Sequence, residues 1–249
     1  MQTPIPSTFT VLSSLLRADF TTQWRNRRSV ILVVLVPVVI LISWKGLVGR
    51  LGGPFVLSNC ITIGLTAIGL MGYTNSIARD RDKGVFQRLR VAPVPSWSIM
   101  TSRLIVQLAM ILVMTSGIFI AGAYYDKIHL TPMGYLVGYG AAFVGGAVYL
   151  ALGQAIVGLI KNPETVNAVT RLVYFVFIMV GMFGELGMLG KEMGEAVKWS
   201  PYGAVKRMLG TSMQPSLWNT ETTYFLLITI GYTIVFAILG IKWFKWNTK

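Results

Sequence analysis

Charge is scarce in this chain: 12% of its 249 residues are Asp, Glu, Lys or Arg, about half the share that soluble domains carry. A globule of this length could bury a core, but so few charges, clustered between apolar runs, cannot cover its surface, which excludes an ordinary soluble fold. Acids are scarcest, nine against 22 lysines and arginines, and there is one histidine and one cysteine. The lone Cys60 excludes an intrachain disulfide, and with the lone His129 it leaves no ligand set at zinc or iron–sulfur spacing. No H-E-x-x-H or nucleophile-elbow motif occurs, so no catalytic residue and no metal ligand is assigned. A phosphate-cradling G-x-x-x-x-G-K-[ST] loop is also missing: Gly190-Lys191 is followed by Glu192, and Glu185 stands where the first glycine belongs. The chain is therefore expected to be no enzyme and to bind no cofactor itself.

What is present is hydrophobicity, 54% of the residues. Six apolar segments, at about 29–46, 55–78, 99–124, 132–160, 166–187 and 222–242, each approach the roughly 20 residues that cross about 30 Å of hydrocarbon. They predict an all-α integral membrane protein, a single domain over residues 1–249 with six transmembrane helices. Pro37 is expected to kink the first span. The fourth is rich in glycine, and Ala142 with Gly146 fits the small-xxx-small spacing of close helix packing. Ahead of the spans, residues 7–28 set Phe9, Leu12, Leu15, Leu16 and Phe20 at near-helical spacing, with Trp24 beside Arg25, Arg27 and Arg28. That pattern predicts an amphipathic interfacial helix lying on the membrane. No small-residue cleavage site follows closely on the first apolar stretch, so the first span is expected to stay attached.

A net charge of +13 could indicate nucleic acid. Its distribution argues for lipid instead. Most of the basic residues fall before the first span, between the second and third, between the fourth and fifth, and after the sixth. Short loops enriched in this way face the cytoplasm, which puts both termini there, in a multi-pass protein of the plasma membrane beside anionic headgroups, with no nucleic-acid partner.

The loop after the second span alternates sign in Arg79, Asp80, Arg81, Asp82 and Lys83, breaks at Gly84, and continues as Val85-Phe86-Gln87-Arg88-Leu89-Arg90 before Pro93 and Pro95. Phe86 and Leu89 share one face of a short helix among arginines, so the segment reads either as a docking peg for another protein or as an ordinary basic loop. Asp80-Arg-Asp-Lys-Gly84 with Leu89 and Ala92-Pro93 resembles the E-R-E-x-G-[TS]-x-E-x-L-x-x-[TS]-P signature of the ABC-2 permease family, at the matching place between spans two and three. Departures are Asp80 and Asp82 for the glutamates, Val85 for the small hydroxyl, Gln87 for the second acid, and Ala92 before the proline. The resemblance implies a coupling helix that docks on an ATPase, with Asp80, Arg81, Asp82, Gly84, Phe86, Arg88, Leu89 and Pro93 as coupling residues. It also implies an exporter subunit whose ATP and Mg sit on a partner, two ATPase copies, and a second permease copy, identical or a sister chain.

Between spans five and six, Trp199-Ser-Pro-Tyr-Gly-Ala-Val-Lys-Arg-Met-Leu209 is similar to that family's N-P-L-x-Y-x-x-[ED]-x-[LIV]-R stretch. The similarity implies a re-entrant extracellular cap that includes Gly184, Glu185, Pro201 and Tyr202, with Gly181, Gly184, Gly187 and Gly190 as the breaks it needs. A solvated loop is the other reading, against which Met182, Phe183, Leu186, Met188 and Leu189 are too apolar. For the translocation path of an amphipathic small molecule, antibiotic or peptide, the candidates are Asn59, Tyr73, Asn75, Gln107, Gln154, Tyr174, Phe175 and Phe177, which could equally be interhelical packing. A secondary transporter or channel without an ATPase is the alternative, but it ordinarily needs midplane carboxylates, and these spans have almost none. Glu185 is the one acid near lipid depth, and Arg103 and Arg171 stand at cytoplasmic ends where they can snorkel.

Overall fold

Local signals set where several helices begin. Thr131-Pro132, Asn162-Pro163 and Ser200-Pro201 each place a side-chain acceptor before a proline, whose missing N–H is harmless at the first helical position. In the computed structural model, which describes residues 8–25, 27–91 and 96–244, these pairs open α8 (Pro132–Leu159), α9 (Pro163–Glu185) and α11 (Pro201–Ser212). Thr131 accepts from the N–H of Gly134, Asn162 from Glu164 and Thr165, and Ser200 from Gly203. Asn219 caps α12 (Thr220–Trp243) in the same way. The described residues form helices joined by turns, with no strand among them.

From the N-terminal side, α1 (Thr8–Arg25) lies along α7 (Ser96–Tyr125). Val11 is buried and Leu12, Leu15 and Leu16 are half-buried, while Phe9, Phe20 and Trp24 stay exposed. The expected apolar face is thus divided: its leucines serve the bundle and its aromatic rings point away from it. α2 (Arg27–Ser43) runs into α3 (Lys45–Leu51) through a bend of 66° at Trp44. The expected first span at 29–46 is therefore not one rod kinked at Pro37. Pro37 sits inside α2, and the break comes where the β-branched run gives way to Trp44-Lys45-Gly46.

After a turn at Gly52, a rod runs from Gly53 to Asp82, made of α4 (Gly53–Thr66), a π-helical stretch (Ala67–Thr74) and α5 (Asn75–Asp82). It is the most buried of the long helices, because α2, α7, α8, α9 and α11 all pack against it. α8 approaches it backbone to backbone: a Cβ at Gly153 would meet the carbonyl oxygen of Gly69 at 2.9 Å, and one at Gly69 would meet the carbonyl carbon of Tyr149 at 2.6 Å. α12 packs along the other side of α8. The rod, α7, α8, α9 and α12 are each long and apolar enough to cross a membrane, and the bent α2–α3 pair would make a sixth crossing. With Leu35, Phe175, Leu227, Ile238 and Ile241 exposed on outward faces, the chain is a multi-pass membrane protein.

Between α9 and α12 the chain forms α10 (Lys191–Trp199), α11 and a single 3-10 turn (Pro215–Leu217). α9 closes in a Schellman motif: Met188 N–H reaches the Phe183 carbonyl and Gly187 N–H that of Gly184, with Gly187 at φ 73°. The expected break residues therefore divide. Gly187 and Gly190 take positive φ, whereas Gly181 and Gly184 stay helical and give room for Tyr202 and Val197. α11 buries Tyr202, Ala204, Val205, Met208 and Leu209 against α4, α8 and α12, which is the packing of a core helix.

Candidate functional site

Charge collects at the two ends of the Gly53–Asp82 rod. At the Asp82 end, Arg81 is 1% exposed. Its Nη1 donates to the Val157 carbonyl at 2.6 Å, and its Nη2 to those of Ile160 and Lys161 at 2.6 and 2.8 Å. These are carbonyls at the C-terminus of α8, which have no intrahelical donor and lie at the negative end of the helix dipole. One guanidinium thus clamps the end of α8 to the end of α5. Beside it, Arg103 on α7 reaches Asp80 on α5 at 2.5 Å and Asp19 on α1 at 3.1 Å, and Ser102 Oγ donates to the other oxygen of Asp19 at 2.5 Å. Arg103 does not snorkel as expected. Its side chain is 14% exposed, because two carboxylates and the face of Phe86, 5.9 Å away, supply the neutralisation that water would otherwise give. Burial raises the pKa of Asp19 above its ordinary value, even with Arg103 and Ser102 pulling the other way.

From this cluster hangs α6 (Val85–Val91), joined through Lys83 and Gly84, the latter at φ 66°. Phe86 is fully buried, edge-on to Phe244 at 6.1 Å between centroids and under Arg103, and Leu89 is half-buried against the core. This corrects the expectation of Phe86 and Leu89 as exposed pegs. A seven-residue helix with one apolar face lays that face on the bundle and leaves Asp82, Lys83, Gln87 and Arg88 outside. Arg88 also returns a bond to the Lys83 carbonyl at 2.9 Å. Pro93 lies outside the described residues.

The candidate path residues do not line one channel. Tyr73 and Gln154 come together, hydroxyl to amide oxygen at 2.8 Å, at the edge of an apolar cavity of about 380 Å³ walled by Leu104, Leu108, Leu150 and Ile241. Asn59 is instead bound to Tyr202, whose hydroxyl donates to its Oδ1 at 2.6 Å. Gln107 is buried beside Asp19 and Arg103. Asn75 bonds the Met71 carbonyl, Phe177 packs edge-on to Tyr149 at 6.2 Å, and Tyr174 is half-buried on α9.

At the Gly53 end of the rod, a cavity of about 530 Å³ lies between the α3–α4 turn, α11 and the start of α12. The Glu185 side chain is 2% exposed and uses both oxygens, one for Lys206 at 2.7 Å and the other for Arg207 Nε at 2.9 Å. Lys206 stands over the Phe55 ring at 3.5 Å, and burial pulls its pKa down to about 8 although Glu185 opposes the shift. Pro201 opens α11 at its first turn.

A model of the family described as ABC-2 type transporter matches residues 10–202. The chain belongs to that family. It is also 23% identical over 168 residues to the Bacillus subtilis (strain 168) protein named "Putative transport permease YvfS", a match covering 66% of each chain. This ABC-2 chain therefore spans about two thirds of the length of that curated relative.

Sequence reasoning missed Asp19, Ser102, Lys206 and Arg207 as members of these clusters. For the last two a signal existed: consecutive cations in a largely apolar stretch, some twenty residues after Glu185. Asp19 carried no comparable signal, since on α1 it read as part of the polar face.

Proposed function

We propose that this ABC-2 chain is the membrane-spanning permease subunit of an ATP-driven exporter in the plasma membrane, with both termini in the cytoplasm. It moves an amphipathic small molecule, antibiotic or peptide. A separate ABC ATPase, in two copies, carries ATP and Mg, and a second permease copy, identical or a sister chain, completes the path. The observation that supports this most directly is the construction of the Asp82 end. α6 presents a polar face, Gln87 and Arg88, beside the exposed Lys83 that precedes it, while its apolar face is wedged under Arg103. A displacement of α6 is handed to the rod through Gly84, to α8 through Arg81, and to α1 and α7 through Arg103. The partner grips the exposed charges, and Phe86 transmits the motion instead of making the contact.

The test is affinity purification of the tagged chain from its native membrane in mild detergent. The wild type should bring down a protein with Walker motifs and ATP turnover. Arg88→Glu should lower its recovery about tenfold, some 1.4 kcal/mol of binding, while leaving the permease monodisperse. If the wild type retrieves no such protein and no turnover, the proposal fails and transport without an ATPase takes its place.

A further inference from the structure

The Glu185–Lys206–Arg207 cluster is not explained by fold stability alone. Two cations share one carboxylate whose oxygens are both taken, so the group carries an excess positive charge, with Glu185 and Lys206 buried and Arg207 facing the cavity, a situation that favours a further anion. Lys206 is closed off, 4% exposed and covered by Phe55. Arg207 is not: its side chain is 37% exposed and it lines the cavity. Glu185 holds it only through Nε, so among the described residues both Nη groups lack a protein acceptor. Phe225 lies 6.0 Å beneath its guanidinium carbon. An arginine fixed by its Nε and backed by a ring presents a planar fork that matches a carboxylate or phosphate. Glu221, the other acid on the cavity wall, is occupied by Lys198 at 2.6 Å. At the mouth, Leu51 and Leu217 are exposed, so a polar floor leads to an apolar rim, and the volume suits a ligand larger than a bare ion.

We infer that this cavity binds the anionic head group, carboxylate or phosphate, of an amphiphile, with Arg207 as the recognising residue, Glu185 as its positioning residue, and the apolar tail running out past Leu51 and Leu217. The inference rests on the transport reading for the idea that the occupant is cargo; the binding itself requires only this chain. The occupant is either an anionic lipid of the bilayer or a free anionic amphiphile, and the two share this chemistry.

The experiment places the purified full chain in nanodiscs of zwitterionic phosphatidylcholine and follows modification of individual arginines by phenylglyoxal with peptide mass spectrometry. Dodecyl phosphate should slow modification of Arg207 about tenfold, as expected for a charge-assisted fork engaged at near saturation. Octyl glucoside and inorganic phosphate should not slow it, and Arg88 at the far end of the rod should react equally throughout. Protection by phosphatidylglycerol discs alone would assign the site to bilayer lipid; protection by dodecyl phosphate only would assign it to a free amphiphile. Unchanged reactivity of Arg207 with both overturns the inference, as does equal binding of dodecyl phosphate by wild type and Arg207→Gln. Protection of Arg207 in a chain that retrieves no ATPase would leave this site standing while the exporter reading falls.

Discussion

Replacing Arg81 with alanine should be among the costliest single changes in the chain. The side chain is fully buried and donates charge-assisted bonds to three carbonyls at the C-terminus of α8. Bonds to charged groups contribute about 1.5–3 kcal/mol each, but they will not all be lost outright. Val157 is buried, whereas Ile160 is half-buried and Lys161 exposed, so water can replace the last two partners in part. One abandoned buried carbonyl, two partly rehydrated ones and the vacated space together put the cost at about 3–5 kcal/mol. For a chain of this size each kcal/mol moves the midpoint by about 2–4 °C, so the melting temperature should fall by roughly 10 °C. Arg81→Lys keeps the charge but not the fork, and should lose about half as much. Fluorescence-detected thermal unfolding in one detergent reads both variants. A midpoint for Arg81→Ala within about 2 °C of wild type would refute the clamp.

Lys206 gives a pH prediction. Its folded pKa is drawn down to about 8 from 10.5, so between those values the unfolded chain holds the proton more tightly, and this group's contribution to stability rises with pH and is flat below 8. Thermal midpoints measured across that window should show Lys206→Met lacking this rise. Tyr202→Phe should cost about 1–3 kcal/mol by leaving Asn59 with no partner on either amide atom, and adding Asn59→Leu should recover much of it, both read by midpoint. Gly153→Ala should destabilise by about 1–3 kcal/mol, since the new methyl meets Thr74 and the Gly69 carbonyl. Gly140→Ala, with nothing within 4 Å, should be neutral or gain up to about 1 kcal/mol. Deleting Met71 from the π-helical stretch should lower the midpoint by more than Arg81→Ala, because the Arg81 and Asp80 pairings are lost together, and adding Arg81→Ala to the deletion should cost little further; full additivity would count against a shared cause.

Five of the long apolar helices were legible because they depend on neighbours in sequence, whereas the first apolar run forms a bent pair that its composition did not show. An apolar run of adequate length has few alternatives, and a capping side chain before proline marks a start wherever it falls. What depends on partners was not legible. Spacing correctly put Phe86 and Leu89 on one face of α6 but could not say whether that face meets another protein or the bundle. Phe86 meets Arg103 and Phe244, and the charges of Lys83 and Arg88 nearby stay exposed. Arg103 read as a snorkelling cation because its acceptors lie on two other helices, one of them α1, far away in sequence. Of the path candidates, three are spent on interhelical bonds that spacing could not show: Asn59 on Tyr202, and Tyr73 with Gln154.

The π-helical stretch connects the two ends of the rod. An α-helix turns about 100° per residue, and a π turn accommodates an extra residue without breaking the helix, so everything on its far side is rotated by about that angle. Thr74 marks the widened geometry by donating to the Gly69 carbonyl, five residues back, at 2.7 Å, and Met71 is the residue of the stretch turned outward. On the Gly53 side, Asn59 is fixed in phase by Tyr202 of α11. On the Asp82 side, Arg81 must face the carbonyls of α8 while Asp80, the next residue round, faces Arg103 of α7. Without the extra residue, α5 would be turned by roughly a quarter to a third of a circle, and neither pairing could form while Asn59 kept its own. The stretch lies where α8 presses closest, at Gly69 and Gly153. The two helices can touch there without side chains between them, so the contact that permits the wide turn also holds its phase.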